Sequence, residues 1–385
     1  MRQMEAIKNY LYQLVHGEQT GPGAKMLLGI LHGMSVLYAW SVSLALCLYR
    51  IGFFKRHRLA CKVISLGNIT VGGTGKTPTA QRLASIIRDL GYRVVILNRG
   101  YRAGWKGNVG VVSDGRKIYM SVSEAGDEAY LLAKSLPGVP VIIGRNRTET
   151  GEYAVARFNA DVIILDDAYQ HWQLERDLDI VLIDALNVFG NNYILPRGTL
   201  REPLENLDRA QVFLLTKVDQ SSDDARGHIR EIATQYNPAA LVVESVHKPK
   251  CFVEVADWYG DFRNNPVDLA AIKDKTVMAF SGIGNPSSFE QTITDIGAKE
   301  VCAIRYPDHH VYTMAEMQYI MEQAVDKGAT ALITTEKDAV KIPAEFIHSQ
   351  RPLPVYVLGI EVRFMEGYAE FMTMIGRMAE DKKRG

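Results

Sequence analysis

The sequence has no surplus of either charge: 44 Lys and Arg stand against 44 Asp and Glu in 385 residues. Without a global field nothing points to nucleic acid, and any basic partner surface has to be local. Cysteine is scarce as well. Cys47, Cys61, Cys251 and Cys302 are scattered, with no C-x-x-C pair; that argues against a disulfide framework and a zinc site and fits a reducing cytosol. There is no repeat and no low-complexity tract, and a composition 47% hydrophobic and 23% charged argues against wholesale disorder. The length suggests two domains rather than one.

Charge is also missing locally. From Met26 to Tyr49 there is no Asp, Glu, Lys or Arg. As a helix this run would reach about 36 Å at 1.5 Å per residue, enough for a bilayer core of roughly 30 Å. Gly29, His32, Gly33, Ser35, Ser41 and Ser43 make it a weak spanning helix. Gly29, His32, Gly33, Val36, Ala39 and Ser43 share one face, which would allow close packing against protein. Arg50, Lys55, Arg56, Arg58 and Lys62 follow the run, against only Arg2, Lys8 and Lys25 before it, a bias that puts the following domain on the cytoplasmic side. The late start and the lack of a small-residue cleavage site argue against a cleaved signal peptide. Two readings stand: a long core helix, or a membrane anchor that spans or lies in the interface with the basic cluster on anionic headgroups.

After this run, apolar β-branched segments alternate with amphipathic ones. Strands are expected at Val63–Leu66, Val94–Leu97, Val139–Ile143, Val162–Leu165, Ile180–Ile183 and Val212–Leu215. Helices are expected at about Lys76–Leu90, Glu124–Ser135 and Thr148–Phe158. Continuous apolar strands of this kind are those of buried parallel sheets, so the region reads as a doubly wound α/β domain with ligands at the carboxyl ends of its strands. Around Leu241–Val255 two β-rich stretches, broken at His247-Lys248-Pro249-Lys250, read as a ribbon linker. A second, smaller α/β unit follows: strand Val277–Phe280, a helix from about Ser287, strand Val301–Arg305, helix Met314–Val325 and strand Ala331–Thr334. Val355–Leu358 is expected to return along the ribbon, and Met365–Met378 to be helical before Asp381-Lys382-Lys383-Arg384. The expected organisation is an anchor region over 1–58, a P-loop domain over 59–245 with a C-terminal helix (360–385) packing back on it, and a second domain over 246–359.

Gly72-Gly73-Thr74-Gly75-Lys76-Thr77 follows a strand and opens a helix, the context a phosphate loop requires. Its glycines let backbone N–H groups face phosphate oxygens, and the helix N-terminus adds positive partial charge. Lys76 would reach the β- and γ-phosphates and the Thr77 hydroxyl would bind Mg²⁺. A strict G-x-x-x-x-G-K-[ST] has Gly at position 70, where this chain has Thr70. The run from Asp161 to Asp166-Asp167 ends an apolar strand in paired carboxylates, the Walker B arrangement for a metal. Asp127 and Glu128 open a helix, where they would serve equally as favourable first-turn charges. Asp308-His309-His310 lies beyond a strand of the second unit; a His–Asp contact would tune a base, but sequence alone does not connect the two segments. Thr216-Lys217-Val218-Asp219 at a strand end resembles the guanine-reading motif of GTPases, although D-x-x-G is absent from the metal strand. Gly282-Ile283-Gly284 is a partial dinucleotide fingerprint, more in keeping with a packing turn because Ser287 replaces the third glycine.

Seven motifs in order resemble tetraacyldisaccharide 4'-kinase, the lipid A 4'-kinase family: Gly67 to Pro78, Asn98-Arg99-Gly100-Tyr101, Gly126-Asp127-Glu128, Asp166 to His171, Leu195 to Glu202, Tyr306 to His310, and Thr335 to Ala339. Thr70 and an N-terminal membrane helix both belong to that resemblance. It implies a P-loop NTPase-type α/β fold and an enzyme on the cytoplasmic face of a Gram-negative inner membrane. That enzyme would move the ATP γ-phosphate, with Mg²⁺, to the 4'-hydroxyl of a tetraacylated glucosamine disaccharide 1-phosphate. The roles it implies are Asp127 as base with His309 its partner from the second domain, and Lys76 and Thr77 on phosphate and metal. Asp166 and Glu202 would be metal ligands with Asp167 and Gln170 close by; Arg99, Tyr101, Arg147, Gln170 and Arg201 are candidates for substrate or phosphate contacts. Asn98 stands where many relatives have Ser. The partners implied are the lipid disaccharide and the membrane surface, with no nucleic acid. A membrane-associated GTPase or ATPase without a lipid acceptor is the enzymatic alternative, and a nucleotide-dependent switch the non-catalytic one.

Overall fold

The apolar runs do become strands, and most of them lie at the centre of parallel sheets. A computed structural model describes residues 10, 13–14, 19–260 and 265–380. Arg2, Lys8 and the Asp381–Arg384 tail lie outside the described residues. The chain divides into two compact units: one of Met1–Lys76, Asp161–Val246 and Phe364–Gly385, the other of Thr77–Ala160 and His247–Arg363.

In the first unit β1 (Lys62–Asn68) lies between β5 (Val162–Asp166) and β6 (Leu178–Asp184), all parallel. β7 (Val212–Thr216) and the start of β8 (Leu241–Glu254) extend the sheet beyond β6, again in parallel. Every residue of β5, β6 and β7 is buried, as strands covered on both faces must be. The register pairs Leu66 with Asp166, so β1 and β5 end side by side at their carboxyl ends. A core of Ile69, Tyr169, Phe189, Leu207, Phe213 and Ile229 packs on this sheet. Helix Asp223–Tyr236, which the sequence pattern did not reveal, covers part of it and is started by Ser222, whose hydroxyl accepts the Ala225 N–H.

The second unit contains β2 (Val94–Asn98), β3 (Gly110–Asp114) and β4 (Pro140–Ile143), with β4 parallel to β2 and antiparallel to β3. It also contains β10 (Thr276–Ser281), flanked in parallel by β11 (Glu300–Arg305) and β12 (Leu332–Thr335), with β13 (Val355–Phe364) beyond β12. A short β9 (Pro266–Val267) pairs with the far half of β8. The expected ribbon is present as β8 and β13, which are hydrogen-bonded neighbours; β8 runs through the His247–Lys250 stretch without a break. The expected helix Glu124–Ser135 is two helices, Val122–Ala125 and Asp127–Ser135, parted at Gly126.

Helix Pro22–Arg50 is long and apolar enough to cross a membrane by length and composition, with a mean hydropathy of 1.5 in its most apolar window. Only 17% of that window is buried, which separates it from a core helix. Its packed face meets the rest of the first unit along its length, with Tyr49 edge-on to Trp172 near the C-terminal end. The His32 ring stands edge-on to Tyr193. Ser35 Oγ donates to Ile194 O and accepts the Arg197 N–H. Tyr38 OH donates to Arg201 O, and Arg50 pairs with Asp208. Met26, Ile30, Met34, Leu37 and Trp40 are exposed on the rest.

Candidate active site

In the first unit the phosphate loop leaves β1 as an extended arm. Thr70 forms an antiparallel bridge with Leu200, the Val71 N–H donates to Thr199 O, and the Arg201 N–H donates to Ile69 O. An extended, bridged position needs no glycine, which is why Thr70 is tolerated. The positive φ values fall later, at Gly72 (129°) and Gly75 (81°), where a side chain would be strained.

The arm delivers Lys76 to the paired ends of β1 and β5. Its ammonium lies 3.4 Å from Asn68 Oδ1 and 3.6 Å from Asp167. Asp167 also accepts from Arg201 at 2.9 Å, and Arg201 reaches Gln170 Oε1 at 3.4 Å. Gln170 in turn donates to Asn68 O. Burial pushes the Asp167 carboxyl up, but Lys76 and Arg201 outweigh it and hold the pKa below the ordinary carboxylate value. Lys76, Asp167, Gln170 and Arg201 are thus one hydrogen-bonded group. Asp166, the last residue of β5, is 2% exposed. Glu202 is fully buried, and its two oxygens hold Arg209 at 2.9 and 3.2 Å and Asn206 at 3.1 Å.

Mg²⁺ takes hard oxygen donors and, in phosphoryl-transfer sites, one or two carboxylates completed by phosphate oxygens and water. By donor chemistry the Asp166 carboxylate at the end of β5, in the first unit, fits the ion, and so does the Thr77 hydroxyl at the start of helix Lys76–Asp89, in the second unit. Thr77, the second residue of that helix, is 4% exposed.

In the second unit Asp127 opens helix Asp127–Ser135. Gly126 before it has φ 82°, and a Cβ there would lie 2.7 Å from Tyr101 O; only glycine permits this entry. His309, 182 positions away, brings its Nδ1 to 2.7 Å from Asp127 Oδ2. Both side chains are largely buried, at 16% and 10% exposure. Burial raises the Asp127 pKa, yet the His309 hydrogen bond and the charges of His309, Lys337 and Lys341 together leave it lowered. That same hydrogen bond to Asp127 raises the His309 pKa against the opposing effect of burial. Sequence reasoning expected the partner of Asp127 to come from a second domain; here the two residues belong to one compact unit.

Around this pair stand Tyr101, Glu128 and Lys337 from the expected motifs, and Arg102 from outside them. The Tyr101 ring is 5.6 Å from the imidazole, and the Arg102 guanidinium lies 5.6 Å over Tyr101 while reaching His309 O at 3.4 Å. Lys337 pairs with Glu128 at 2.9 Å. Arg102 carried no signal of its own, standing one residue beyond its motif. Arg99 is exposed at the end of β2, and the buried Asn98 accepts the Gly100 N–H. Arg147 is 3% exposed and gives its guanidinium to Gly144 O, so it braces the turn after β4.

A phosphate loop on a parallel sheet, a carboxylate at the adjacent strand end and a separate carboxylate–imidazole pair define a P-loop phosphotransferase. A profile of tetraacyldisaccharide-1-P 4'-kinase matches residues 27–378. The chain belongs to this kinase family. A tetraacyldisaccharide 4'-kinase of Halothermothrix orenii is 38% identical over 379 residues, covering 96% of this chain and 98% of that one. One from Syntrophus aciditrophicus is 39% identical over 361 residues, covering 91% and 93%. Among solved structures, LpxK from Aquifex aeolicus in complex with ATP is similar at a TM-score of 0.71 and 30% identity, over 91% of this chain and 99% of that one.

Proposed function

We propose that the protein transfers the γ-phosphate of ATP to the 4'-hydroxyl of a tetraacyldisaccharide 1-phosphate, with Mg²⁺, at the cytoplasmic face of an inner membrane. The observation that carries this reading is the Asp127–His309 contact. A phosphate loop alone also serves hydrolases and switches, whereas an ionised carboxylate oriented by an imidazole is what an acceptor hydroxyl requires.

Asp127 takes the hydroxyl proton, and His309 orients the carboxylate and keeps it ionised. The loop from Gly72 to Gly75 offers backbone N–H groups to the phosphates, that of Thr74 only by releasing Gly72 O, and Lys76 leaves Asp167 and Asn68 to neutralise them. Thr77 and Asp166 would hold Mg²⁺, which when bound offsets phosphate charge; Glu202 would join them only by releasing Arg209. Arg201 exchanges Asp167 for substrate or phosphate with Gln170 beside it, Arg99 and Tyr101 contact the acceptor, and Arg147 acts through the turn it braces. The helix Pro22–Arg50 lies in the membrane interface, its exposed apolar face inward and Lys55, Arg56 and Arg58 toward anionic headgroups. The division proposed is an anchor region over 1–58, a P-loop kinase domain over 59–245 to which the C-terminal helix belongs, and a second α/β domain with its linker strands over 246–359, the source of His309.

Comparison of ATP and GTP turnover, with and without the disaccharide, tests this. Product formed only with acceptor supports the kinase; equal nucleotide hydrolysis without it supports the GTPase or ATPase alternative instead.

A further inference from the structure

The Thr216-Lys217-Val218-Asp219 segment is left without a task by the reaction. Were it a guanine reader, its polar side chains would be held for a base. Instead, Lys217 is turned inward, 6% exposed, with its ammonium 2.6 Å from Asp184 Oδ2 and 3.2 Å from Gly73 O. Thr216 is fully buried, and its hydroxyl donates to Thr74 O at 3.1 Å. Asp184 is itself fixed, accepting the Leu186 N–H on its other oxygen at 3.0 Å. Lys217 has φ 58°, a left-handed conformation that a lysine adopts only when its surroundings impose it.

Two consecutive carbonyls of the phosphate loop, those of Gly73 and Thr74, are therefore held by donors from the end of β7. A trans peptide directs its N–H opposite its C=O. Fixing Thr74 O on Thr216 consequently aims the Gly75 N–H away from β7, and fixing Gly73 O limits rotation of the peptide before it. The Gly75 amide is of the kind a phosphate loop turns toward its anion, while the Thr74 N–H closes a turn within the loop on Gly72 O at 3.1 Å. A loop backbone held this way needs less reorganisation when the nucleotide arrives, which is how preorganised donors gain affinity.

We infer that Thr216 and Lys217, with Asp184 behind them, are positioning residues that set the phosphate loop for the nucleotide rather than readers of its base. The inference rests on the kinase reading above, and it concerns the nucleotide side alone.

The test uses the full-length enzyme in detergent, measuring ATP binding directly by calorimetry and phosphate transfer in steady state. Thr216→Val removes the donor without altering charge and is expected to raise the KM and Kd for ATP at least fivefold, leaving the KM for the disaccharide unchanged. Thr216→Ser, which keeps the hydroxyl, is expected to return both to within twofold of the parent. Lys217→Met is expected to raise ATP KM more than Lys217→Arg does, and Asp219→Ala to leave the ATP-to-GTP preference unaltered. Unchanged ATP affinity in a folded Thr216→Val, or an equal rise in both KM values, would overturn the inference. So would a shift of base preference in Asp219→Ala. A parent enzyme that binds ATP but phosphorylates nothing would instead count against the kinase reading.

Discussion

At the scale of single residues, the chemistry turns on Asp127 and His309. Asp127→Asn and Lys76→Ala are expected to lower kcat by about 10²-fold or more, the usual weight of a general base or a phosphate ligand, while circular dichroism stays unchanged; near-parental turnover in either would remove its assigned role. The pair also makes stability pH-dependent. Asp127 has its pKa lowered from 3.8, so its contribution is present above that value and lost as pH falls through the folded one. His309 has its pKa raised from 6.5, so its contribution is full below that value and lost as pH rises through the folded one. The stability gap between the parent and His309→Gln, read by urea unfolding, should therefore be widest between these limits and narrow toward alkaline pH. A gap that widened with rising pH would contradict the assignment. Thr70 gives the opposite lesson, because the residue that breaks the strict loop pattern is bridged to Leu200. Thr70→Gly should cost about 0.5–1 kcal/mol of stability, with ATP KM unchanged.

At the scale of elements, the turn that carries His309 is held through its backbone by a buried hub in the second unit. Asp338, fully buried in the short helix Glu336–Ala339 that follows β12, accepts from the Gly282 N–H, Tyr312 OH and Lys341. Gly282 O in turn accepts the His309 N–H at 3.1 Å. Asp338→Ala strands Lys341 as an uncompensated buried charge and should destabilise by about 3–5 kcal/mol in urea unfolding; a loss below ~1 kcal/mol would mean the hub is not what holds this turn. The strands around these sites were legible because buried parallel strands are continuous apolar runs, as Val162–Leu165 and Val212–Leu215 are. Strand β3 and helix Asp223–Tyr236 were not. Gly110–Asp114 is short and partly exposed, and Asp223–Tyr236 buries only Ile229, Ile232 and Ala233 of its fourteen residues. The phosphate loop could be read because its residues are contiguous; the contact of Asp127 with His309 came only from the family resemblance, because tertiary folding alone brings these residues together. Lys217 was misleading for a related reason: its motif describes a strand end, and only the packing reveals which way the side chain turns.

At the scale of the whole molecule, the chain presents an apolar helix face to its surroundings and keeps the other face on its own first unit. Leu37 and Trp40, 71% and 66% exposed, stand on the free face. Burial of such side chains is worth about 1.5–3 kcal/mol each, so Leu37→Glu with Trp40→Glu should lower partitioning into anionic vesicles at least about tenfold. Turnover of detergent-dispersed substrate should remain. Undiminished vesicle binding would mean that the helix is not the membrane contact. The most direct measurement of the reaction is mass spectrometry of a tetraacyldisaccharide 1-phosphate incubated with the purified protein, ATP and Mg²⁺. The disaccharide should gain one phosphate with the parent enzyme and almost none with Asp127→Asn. An unmodified disaccharide alongside consumed ATP would contradict the assignment as a lipid kinase.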